Sequence, residues 1–350
     1  MANHNMGDMI MKYRHILAAM ALSVMTAAAA YAAPLEMNFQ SAFTPAQRQN
    51  ADALEPWARS FEEKSGGDMT MHFFYSGGLV EFSALGDAIK SGMVDAGGWI
   101  MSDPAKTPYF FLFGLPYLAK DQSHAFRISQ RLIAEVPELK KELESVGVLL
   151  GNAVAAPSMI VSKDIPVRSP ADMKGRRVLC LAGASSDYIE AWGGIPITTT
   201  PGDVYVGLQR GMGEMYFVGV AGVRGSHVYE FCKYATPLGI STSTIFPYSI
   251  NRDLFEKDMT DEQRKMTLEL SEGLGQKVVD SFNADVAEAY KTFEEAGCKV
   301  LSLTDEEMSA FIKAAQDNVI PSMARKAKNF GIADPEAVIR KYMEIAAAVD

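Results

Sequence analysis

The chain has 350 residues, of which 48% are hydrophobic and 22% are charged, and it carries a formal net charge of −10 at pH 7. This length allows two domains, each with a hydrophobic core of its own. The acidic balance and the lack of basic runs argue against nucleic-acid binding, because phosphate backbones are held by clustered lysine and arginine.

The N-terminus has the three parts of a secretory signal peptide. A basic segment at residues 12–15 precedes an apolar run at residues 16–29, and an A-x-A cleavage site follows at residues 30–32. The apolar run is shorter than the about 20 residues that a membrane-spanning helix needs. We therefore predict that residues 1–32 are a signal peptide and that the protein works in the periplasm.

The cysteines leave two states open. Cys180, Cys232 and Cys298 are an odd number of widely spaced residues without a C-x-x-C pattern. Export to an oxidising compartment is compatible with one disulfide and one free thiol. Three buried thiols are equally compatible, because a free cysteine behaves as a small apolar residue. No metal-ligand spacing is present.

The first hundred residues alternate between strand and helix patterns. The strands alternate apolar and polar residues, and the helices end at glycine. The predicted elements are a strand at Leu35–Phe39, a helix from Thr44 to about Lys64, a strand at Met69–Tyr75, a helix at Glu81–Ser91 and a strand at Met93–Trp99. This order predicts an α/β layer with parallel strands.

The rest of the chain repeats the alternation and then becomes helical. The predicted elements are a helix at Glu135–Ser145, an extended run at Val146–Val161, a strand–helix–strand–helix series within Lys174–Met215, a strand at Tyr248–Phe255 and helix across Thr260–Glu295. Capping-box patterns at Thr260 and Thr304 open two helices. The apolar run is suited to cross between domains, so the sequence predicts two α/β lobes with a cleft between them.

Four strings carry a family resemblance. They are "YSGGLVEFSALGDAIKSGMVDAG" from Tyr75, "SPADMKGRRV" from Ser169, "GDVYVGLQRGMGE" from Gly202 and "VYEFCKYAT" from Val228. In this order and at these separations, they resemble the extracytoplasmic solute-binding proteins of tripartite ATP-independent periplasmic (TRAP) transporters. The resemblance covers nearly the whole chain after the predicted signal peptide.

The resemblance implies a two-lobe α/β fold with crossing hinge strands and a long C-terminal helix that spans both lobes. Lobe I is expected to comprise residues 33–155 and about 244–283, and lobe II residues 156–243 and about 284–337, with the ligand in the cleft between them. The family implies no catalysis and no cofactor. A monomer of this kind captures a small solute, closes over it and delivers it to the membrane subunits of a TRAP permease.

The sequence departs from the family where polar groups hold the ligand. Leu179 stands where the family has an arginine that pairs with the ligand carboxylate, and residues 216–218, Tyr-Phe-Val, replace a polar run. The crossing run also lacks an arginine within Val154–Met159, where many members have one. A buried carboxylate without a partner is costly, so simple dicarboxylates and sugar acids are expected to bind poorly.

We therefore expect aromatic walls and a few polar groups in the cleft, which suit an aromatic or otherwise apolar-rich organic acid. Stacking adds roughly 0.5–1.5 kcal/mol per aromatic pair beyond burial. The candidate ligand-binding residues are Phe43, Glu81, Trp99, Ser158, Leu179, Tyr188, Tyr216, Phe217, Arg224 and Thr242.

Several alternatives stay open. The aromatic residues are equally suited to an ordinary core, and Arg224 is either a substitute clamp or a solvated surface residue. Cation–π contacts with Glu81 as the counter-charge would suit a small amine, and a neutral solute is a further alternative. A sensor-linked binding protein has the same sequence features. An enzyme is disfavoured, because His72, His124 and His227 are scattered without a catalytic partner pattern.

Overall fold

Two β-sheets with helices packed against them make up the protein. The computed structural model describes residues 34–45, 47–100, 103–155, 157–181, 184–199 and 203–350. The predicted signal peptide lies outside these described residues. Residues Glu36–Asp350 form one compact unit.

The strands follow in chain order. They are β1 (Leu35–Gln40), β2 (Met69–Phe74), β3 (Ala96–Gly98), β4 (Val148–Ala155), β5 (Ser158–Ser162), β6 (Arg177–Cys180), β7 (Ile195–Thr198), β8 (Met215–Gly219), β9 (Tyr234–Pro237), β10 (Thr244–Ile250) and β11 (Lys299–Val300).

The α-helices are α1 (Glu55–Ser65), α2 (Leu85–Ser91), α3 (Pro108–Phe111), α4 (Gln122–Glu135), α5 (Pro137–Glu144), α6 (Ser185–Ala191), α7 (Val204–Gln209), α8 (Val223–Ser226), α9 (Asp261–Ser271), α10 (Leu274–Glu295), α11 (Asp305–Asn329) and α12 (Pro335–Ala347). The π-helical turns Asn50–Leu54 and Leu254–Asp258 accompany them.

The first sheet has the strand order β2-β1-β3-β10-β4. β1 and β3 pair in parallel, which confirms the parallel layer predicted for the N-terminal segment. β10 runs antiparallel to both β3 and β4, so the complete sheet is mixed. The second sheet has the order β11-β9-β5-β8-β6-β7, with β6 parallel to β7 and β8 and with β5 antiparallel to β8 and β9.

The chain crosses between the sheets in two adjacent segments. The predicted extended run becomes β4 in the first sheet and β5 in the second, so its crossing role is confirmed. The second crossing connects β9 to β10. The two segments lie side by side, because Ser158 N–H donates to Gly239 O at 2.8 Å and Leu238 N–H donates to Ser158 O at 2.9 Å.

A long helix links the two sheets. α10 starts against β4, where a Cβ at Gly275 would lie 2.0 Å from the Asn152 carbonyl oxygen, so only glycine permits this approach. Near its other end, Ala289 and Phe293 belong to an apolar cluster of the second sheet. The predicted two-lobe α/β fold with crossing strands and a long helix is thereby confirmed. The lobe boundaries within it stay a prediction.

Both capping-box predictions are confirmed. Thr260 caps α9 together with Gln263, and Thr304 caps α11 together with Glu307. In both boxes the threonine hydroxyl accepts a backbone N–H and the longer side chain binds the threonine N–H in return. The helix predicted across Thr260–Glu295 is interrupted at Gly273, whose φ of 73° ends α9 and starts α10.

Several element predictions were partly wrong, among them the helix predicted from Thr44, which begins only at residue 48. The strand predicted at Tyr248–Phe255 begins earlier, at Thr244, and ends at Ile250, because Asn251 turns the chain into a helical segment. Asn251 Oδ1 accepts the Leu254 N–H at 2.9 Å, and its Nδ2 donates to the Ile89 carbonyl at 2.8 Å.

A further prediction that was partly wrong concerns the helices before β4. The helix predicted at Glu135–Ser145 is α5, which begins at Pro137, and α4 precedes it without having been predicted. Proline at the first position of α5 separates the two helices at Val136.

Glu142 on α5 gives a pH-dependent contribution to stability. Its carboxylate accepts the N–H groups of Tyr109 and Phe110 at 3.0 and 2.8 Å, at the start of α3. Burial raises the pKa of Glu142 to about 7, and the two backbone hydrogen bonds oppose this rise. A raised folded-state pKa favours the protonated folded form, so this stabilisation is complete below the unfolded pKa and is lost as pH rises through about 7.

We expect the free energy of unfolding of the wild-type protein to fall between pH 5 and pH 8 relative to Glu142→Gln, by about 1–3 kcal/mol. Urea unfolding of both proteins at four pH values in this interval measures the difference. Parallel pH profiles of the two proteins would show that the backbone hydrogen bonds outweigh burial at this carboxyl.

Candidate ligand-binding site

Three chain segments converge where the two sheets meet. Ser158 begins β5 directly after the first crossing, and its hydroxyl contacts the hydroxyl of Ser241 on the second crossing. The N–H of Tyr117 donates to the Ser241 carbonyl at 3.1 Å. We call Tyr117, Ser158, Tyr188, Ser241 and Thr242 the hydroxyl cluster, because each contributes a hydroxyl group to this junction.

Tyr117 has two unusual features. Its hydroxyl is buried and makes no hydrogen bond within the part of the chain that the structure describes. Its backbone φ is 55°, in the left-handed region that bulky residues rarely adopt. Burial raises the pKa of Tyr117 above its ordinary value, so the phenol is a neutral donor. The sequence analysis missed this residue, because nothing in the local string Gly-Leu-Pro-Tyr distinguishes it from a surface turn.

Tyr188 connects the two sides of the junction. It lies on α6, beside the second sheet, and its hydroxyl donates to the carbonyl of Gly114, between α3 and α4, at 2.7 Å. Burial raises the pKa of Tyr188 well above its usual value, and a hydrogen bond with Thr242 opposes that rise. Tyr188 is therefore a neutral donor that ties the second crossing segment to the N-terminal part of the chain.

One face of the second sheet holds Leu179, Tyr216 and Val218 in an apolar cluster. Leu179 on β6 lies opposite Tyr216 on β8 and is fully buried. A Cβ at Gly213 would lie 2.7 Å from Leu179 Cγ, so the leucine side chain fills the space left by this glycine. Burial raises the pKa of Tyr216 well above its usual value. Leu179, which the sequence analysis predicts to replace the family's arginine, is thus closely packed on this face.

The opposite face of the same sheet holds Phe217 and Tyr188. Phe217 packs edge-on against Trp192, with ring centroids 5.3 Å apart, and lies 6.1 Å from the Tyr188 ring. The Trp192 indole N–H donates to the Phe311 carbonyl on α11 at 3.1 Å. Because β8 alternates its side chains, Tyr216 and Phe217 point to different faces and cannot form one continuous aromatic wall.

Phe43 and Trp99 belong to two further aromatic groups, both in contact with the first sheet. Phe43 contacts the rings of Phe246 and Phe282, with centroids 5.1 and 5.5 Å away. Trp99 packs against Phe110 at 5.7 Å, and its indole N–H donates to Ser249 Oγ at 3.0 Å. Both side chains are buried, at 3% and 2% exposure, and the contacts described are with other side chains of the protein.

The two charged candidates are placed differently. Glu81 is exposed, and its carbonyl accepts the Ala84 N–H at 2.9 Å where a 3₁₀ turn begins before α2. Arg224 belongs to α8, but its side chain lies outside the described part of the protein. The structure thus brings Ser158, Tyr188 and Thr242 together and distributes Phe43, Trp99, Leu179, Tyr216 and Phe217 over separate packed groups. Their ligand contacts stay a prediction.

A separate cavity of about 490 Å³ lies near the C-terminus and contains none of these residues. It is lined by Phe126, Arg127, Gln130, Arg131, Gln276, Ala348, Val349 and Asp350. Among the described residues, no group of three His, Cys, Asp or Glu side chains is arranged to hold a metal ion. None of the described helices combines the length and apolar character needed to cross a membrane.

The sequence matches the model of a known protein family. The family model of bacterial extracellular solute-binding proteins, family 7, matches residues 40–326. The chain belongs to this family. Family 7 comprises the solute-binding proteins of TRAP transporters, which serve transport rather than catalysis.

Solved structures share the fold of this family 7 protein. A marine metagenome TRAP protein specific for aromatic acids, in complex with 3-hydroxybenzoate, has a TM-score of 0.80 at 20% identity over 91% of this chain and 99% of that one. A Bordetella bronchiseptica protein with bound (R)- and (S)-mandelate has a TM-score of 0.76 at 19% identity over 91% and 100%. A Roseobacter denitrificans protein with β-D-glucuronate has the same score and identity over 90% and 100%.

Sequence relatives are distant. A solute-binding protein of Albidiferax ferrireducens is 21% identical over 312 residues, 84% of this chain and 89% of that protein. The uncharacterized protein YiiZ of Salmonella typhimurium is 23% identical over 166 residues, and this match spans 46% of the family 7 chain and half the length of YiiZ.

Proposed function

We propose that this protein captures a small organic acid with an aromatic or otherwise apolar-rich body and delivers it to a TRAP permease. The observation that carries the proposal is the buried Tyr117 hydroxyl, which lacks a partner among the described residues at the junction of the two crossings. A buried donor without an acceptor costs about 1–3 kcal/mol. A ligand carboxylate would supply the missing acceptor.

The charge distribution supports a monocarboxylate over a more polar ligand. The position of the family's arginine is occupied by a buried leucine, Leu179, inside an apolar cluster. The neutral Tyr117 hydroxyl is suited to hold a single carboxylate, whereas several ligand hydroxyls would require additional polar partners. Two proteins of similar fold bind the aromatic acids 3-hydroxybenzoate and mandelate, which supports this ligand class. A third binds glucuronate, so uronates are the competing class that the experiment must include.

We further propose that capture closes two lobes about the crossings. Lobe I comprises residues 33–155 and about 244–283, and lobe II comprises residues 156–243 and about 284–337. Ser158 and Gly239 lie side by side at this boundary and would form the hinge. A ligand shifts the population toward the closed form only by binding that form more tightly.

The proposed ligand class is tested by thermal shift and calorimetry with aromatic acids, uronates, C4-dicarboxylates and amines. We expect aromatic acids to stabilise the protein, by about 2.7 kcal/mol at a hundredfold excess over Kd, and to reduce the scattering radius. Tyr117→Phe should weaken binding about 10- to 100-fold, because a hydrogen bond to a charged group contributes about 1.5–3 kcal/mol.

Tyr248→Phe is the matched control, since the Tyr248 hydroxyl on β10 is also buried without a partner among the described residues. Both variants remove an unsatisfied donor and should leave the unliganded protein as stable as the wild type, or slightly more stable. Only Tyr117→Phe should weaken binding. Shifts with uronates or C4-dicarboxylates alone would refute the ligand class.

A small amine or neutral solute is the alternative ligand. The amine alternative would be established if only amines raise the Tm. Glu81→Gln should then abolish this thermal shift, and Arg224→Ala should retain it. If aromatic acids bind but Arg224→Ala abolishes binding while Tyr117→Phe does not, Arg224 is the clamp. A sensor-linked role would give the same ligand profile, and reconstituted uptake with the membrane subunits separates it from transport.

We also propose export through cleavage after residue 32. TRAP solute-binding proteins are periplasmic, which supports this assignment. The mass of the intact protein from the periplasm identifies its first residue.

A further inference from the structure

Two of the three cysteines lie next to each other on the second sheet. The thiol of Cys298 contacts the carbonyl oxygen of Cys232 and lies 3.2 Å from the carbonyl oxygen of Tyr229. Both cysteines belong to the same apolar cluster and are buried, each at 4% exposure. Cys180 belongs to a different apolar cluster, which includes residues of both sheets, and lies beside Ser186. In the structure all three are thiols.

The pairing of β9 with β11 brings together the segments that carry Cys232 and Cys298. Lys299 pairs with Tyr234 in the parallel β9–β11 ladder, and Lys299 N–H donates to the Lys233 carbonyl at 2.8 Å. Cys298 immediately precedes β11, and Cys232 lies two residues before β9. The contact of the Cys298 thiol with the Cys232 carbonyl oxygen brings the two cysteines together at this end of the ladder. A disulfide requires such neighbours, because it spans Cα separations of only about 4.4–6.8 Å.

We propose that Cys232 and Cys298 form a disulfide in the exported protein and that Cys180 stays a thiol. The proposal relies on export, which is part of the proposed function, but not on the ligand class. The bond would join the segment just before β9 to the segment that follows α10, the helix that links both sheets. It would therefore fix the end of α10 on the second sheet.

The reaction uses a disulfide oxidant of the periplasm. The thiolate of one cysteine attacks a sulfur of the oxidant, which forms a mixed disulfide and releases the first oxidant thiolate. The second cysteine thiolate then attacks the mixed disulfide, which closes the protein bond and releases the second oxidant thiolate. The two protein thiols lose two electrons and two protons in total, and the oxidant is reduced to two thiols.

Burial decides when this exchange can happen. Burial and the neighbouring Cys298 raise the pKa of Cys232 to about 12, so the folded protein contains little reactive thiolate at this position. Exchange is therefore expected during folding, before α10 and the second sheet close over the pair. Once formed, the buried bond is shielded from reductants in the native state.

The test is thiol counting on protein purified from the periplasm and alkylated in denaturant without reductant. We expect one alkylated cysteine, Cys180, and an intact mass about 2 Da below that of the fully reduced chain. Peptide mapping should show Cys232 linked to Cys298. Three alkylated cysteines, or a bond that includes Cys180, would overturn the proposal. Three thiols together with an unprocessed N-terminus would indicate failed export instead. In that case the protein is refolded with oxidised glutathione, which tests the cysteine pair directly. Absence of the Cys232–Cys298 bond after this refolding would refute the proposal.

Matched variants separate the bond from general effects on folding. Cys180→Ala should retain the bond and leave no alkylatable thiol, whereas Cys298→Ala should leave two. Reduction should lower the Tm of the wild type and of Cys180→Ala by several degrees, because a cross-link restricts the unfolded chain. It should leave the Tm of Cys298→Ala unchanged. A reductant-sensitive Tm in Cys298→Ala would contradict the assignment.

Discussion

Replacing Leu179 by arginine is expected to destabilise the folded protein by about 3–5 kcal/mol, because it buries a charge without a partner. Leu179 is fully buried in an apolar cluster, and the Gly213 backbone leaves room for little more than its present side chain. On sequence grounds alone, the same change would restore the family's carboxylate clamp and broaden the ligand range. Urea unfolding without ligand distinguishes the two outcomes.

Leu179→Met is the matched control for this variant. It conserves volume and adds no charge, so it should cost less than about 1.5 kcal/mol. An arginine variant that is as stable as Leu179→Met and gains affinity for uronates or C4-dicarboxylates would place residue 179 at the cleft. Loss of stability in the arginine variant alone would place it in the core.

Phe217→Ala should cost about 3–5 kcal/mol of stability in the absence of any ligand. The Phe217 ring is 3% exposed and packs against Trp192 and Tyr188, so truncation opens a cavity among the aromatic side chains that join the second sheet to α11. The effect follows from lost burial and lost edge-to-face contacts. Chemical denaturation of the unliganded protein measures it.

Phe73→Ala provides the comparison for Phe217. Phe73 is half-buried on β2 and contacts the rings of Phe39 and Tyr75, so its truncation should cost clearly less. A Phe217→Ala protein that keeps wild-type stability but loses aromatic-acid binding would contradict the core assignment. It would instead support a role for this ring in the wall of the ligand cleft.

The leucine at position 179 also affects how the proposed ligand would be held. The resemblance predicts a charged carboxylate clamp at position 179 on β6, whereas the donor that we propose here is the neutral Tyr117 hydroxyl at the junction. Neutral donors stabilise a carboxylate less than a bidentate guanidinium does. Under the proposed function, the remaining affinity would come from the apolar body of the ligand, as expected for an aromatic acid.

The sequence by itself determined the local elements and the overall class. The capping boxes at Thr260 and Thr304 act within one helical turn, and the apolar run that became β4 and β5 was long enough to leave one sheet and enter the next. Such signals depend on residues close in sequence, so periodicity and capping chemistry are sufficient to read them. Four ordered strings then identified the family.

Tertiary structure alone decided which side chains meet. Tyr216 and Phe217 are adjacent in sequence but lie on opposite faces of β8, and Tyr117 reaches the crossings from a turn more than a hundred residues before Ser241. The neighbourhood of Cys232 and Cys298 likewise depends on the parallel pairing of β9 with β11. Such contacts join residues far apart in the chain, and no local pattern records them, because they are fixed only when the sheets and α10 pack together.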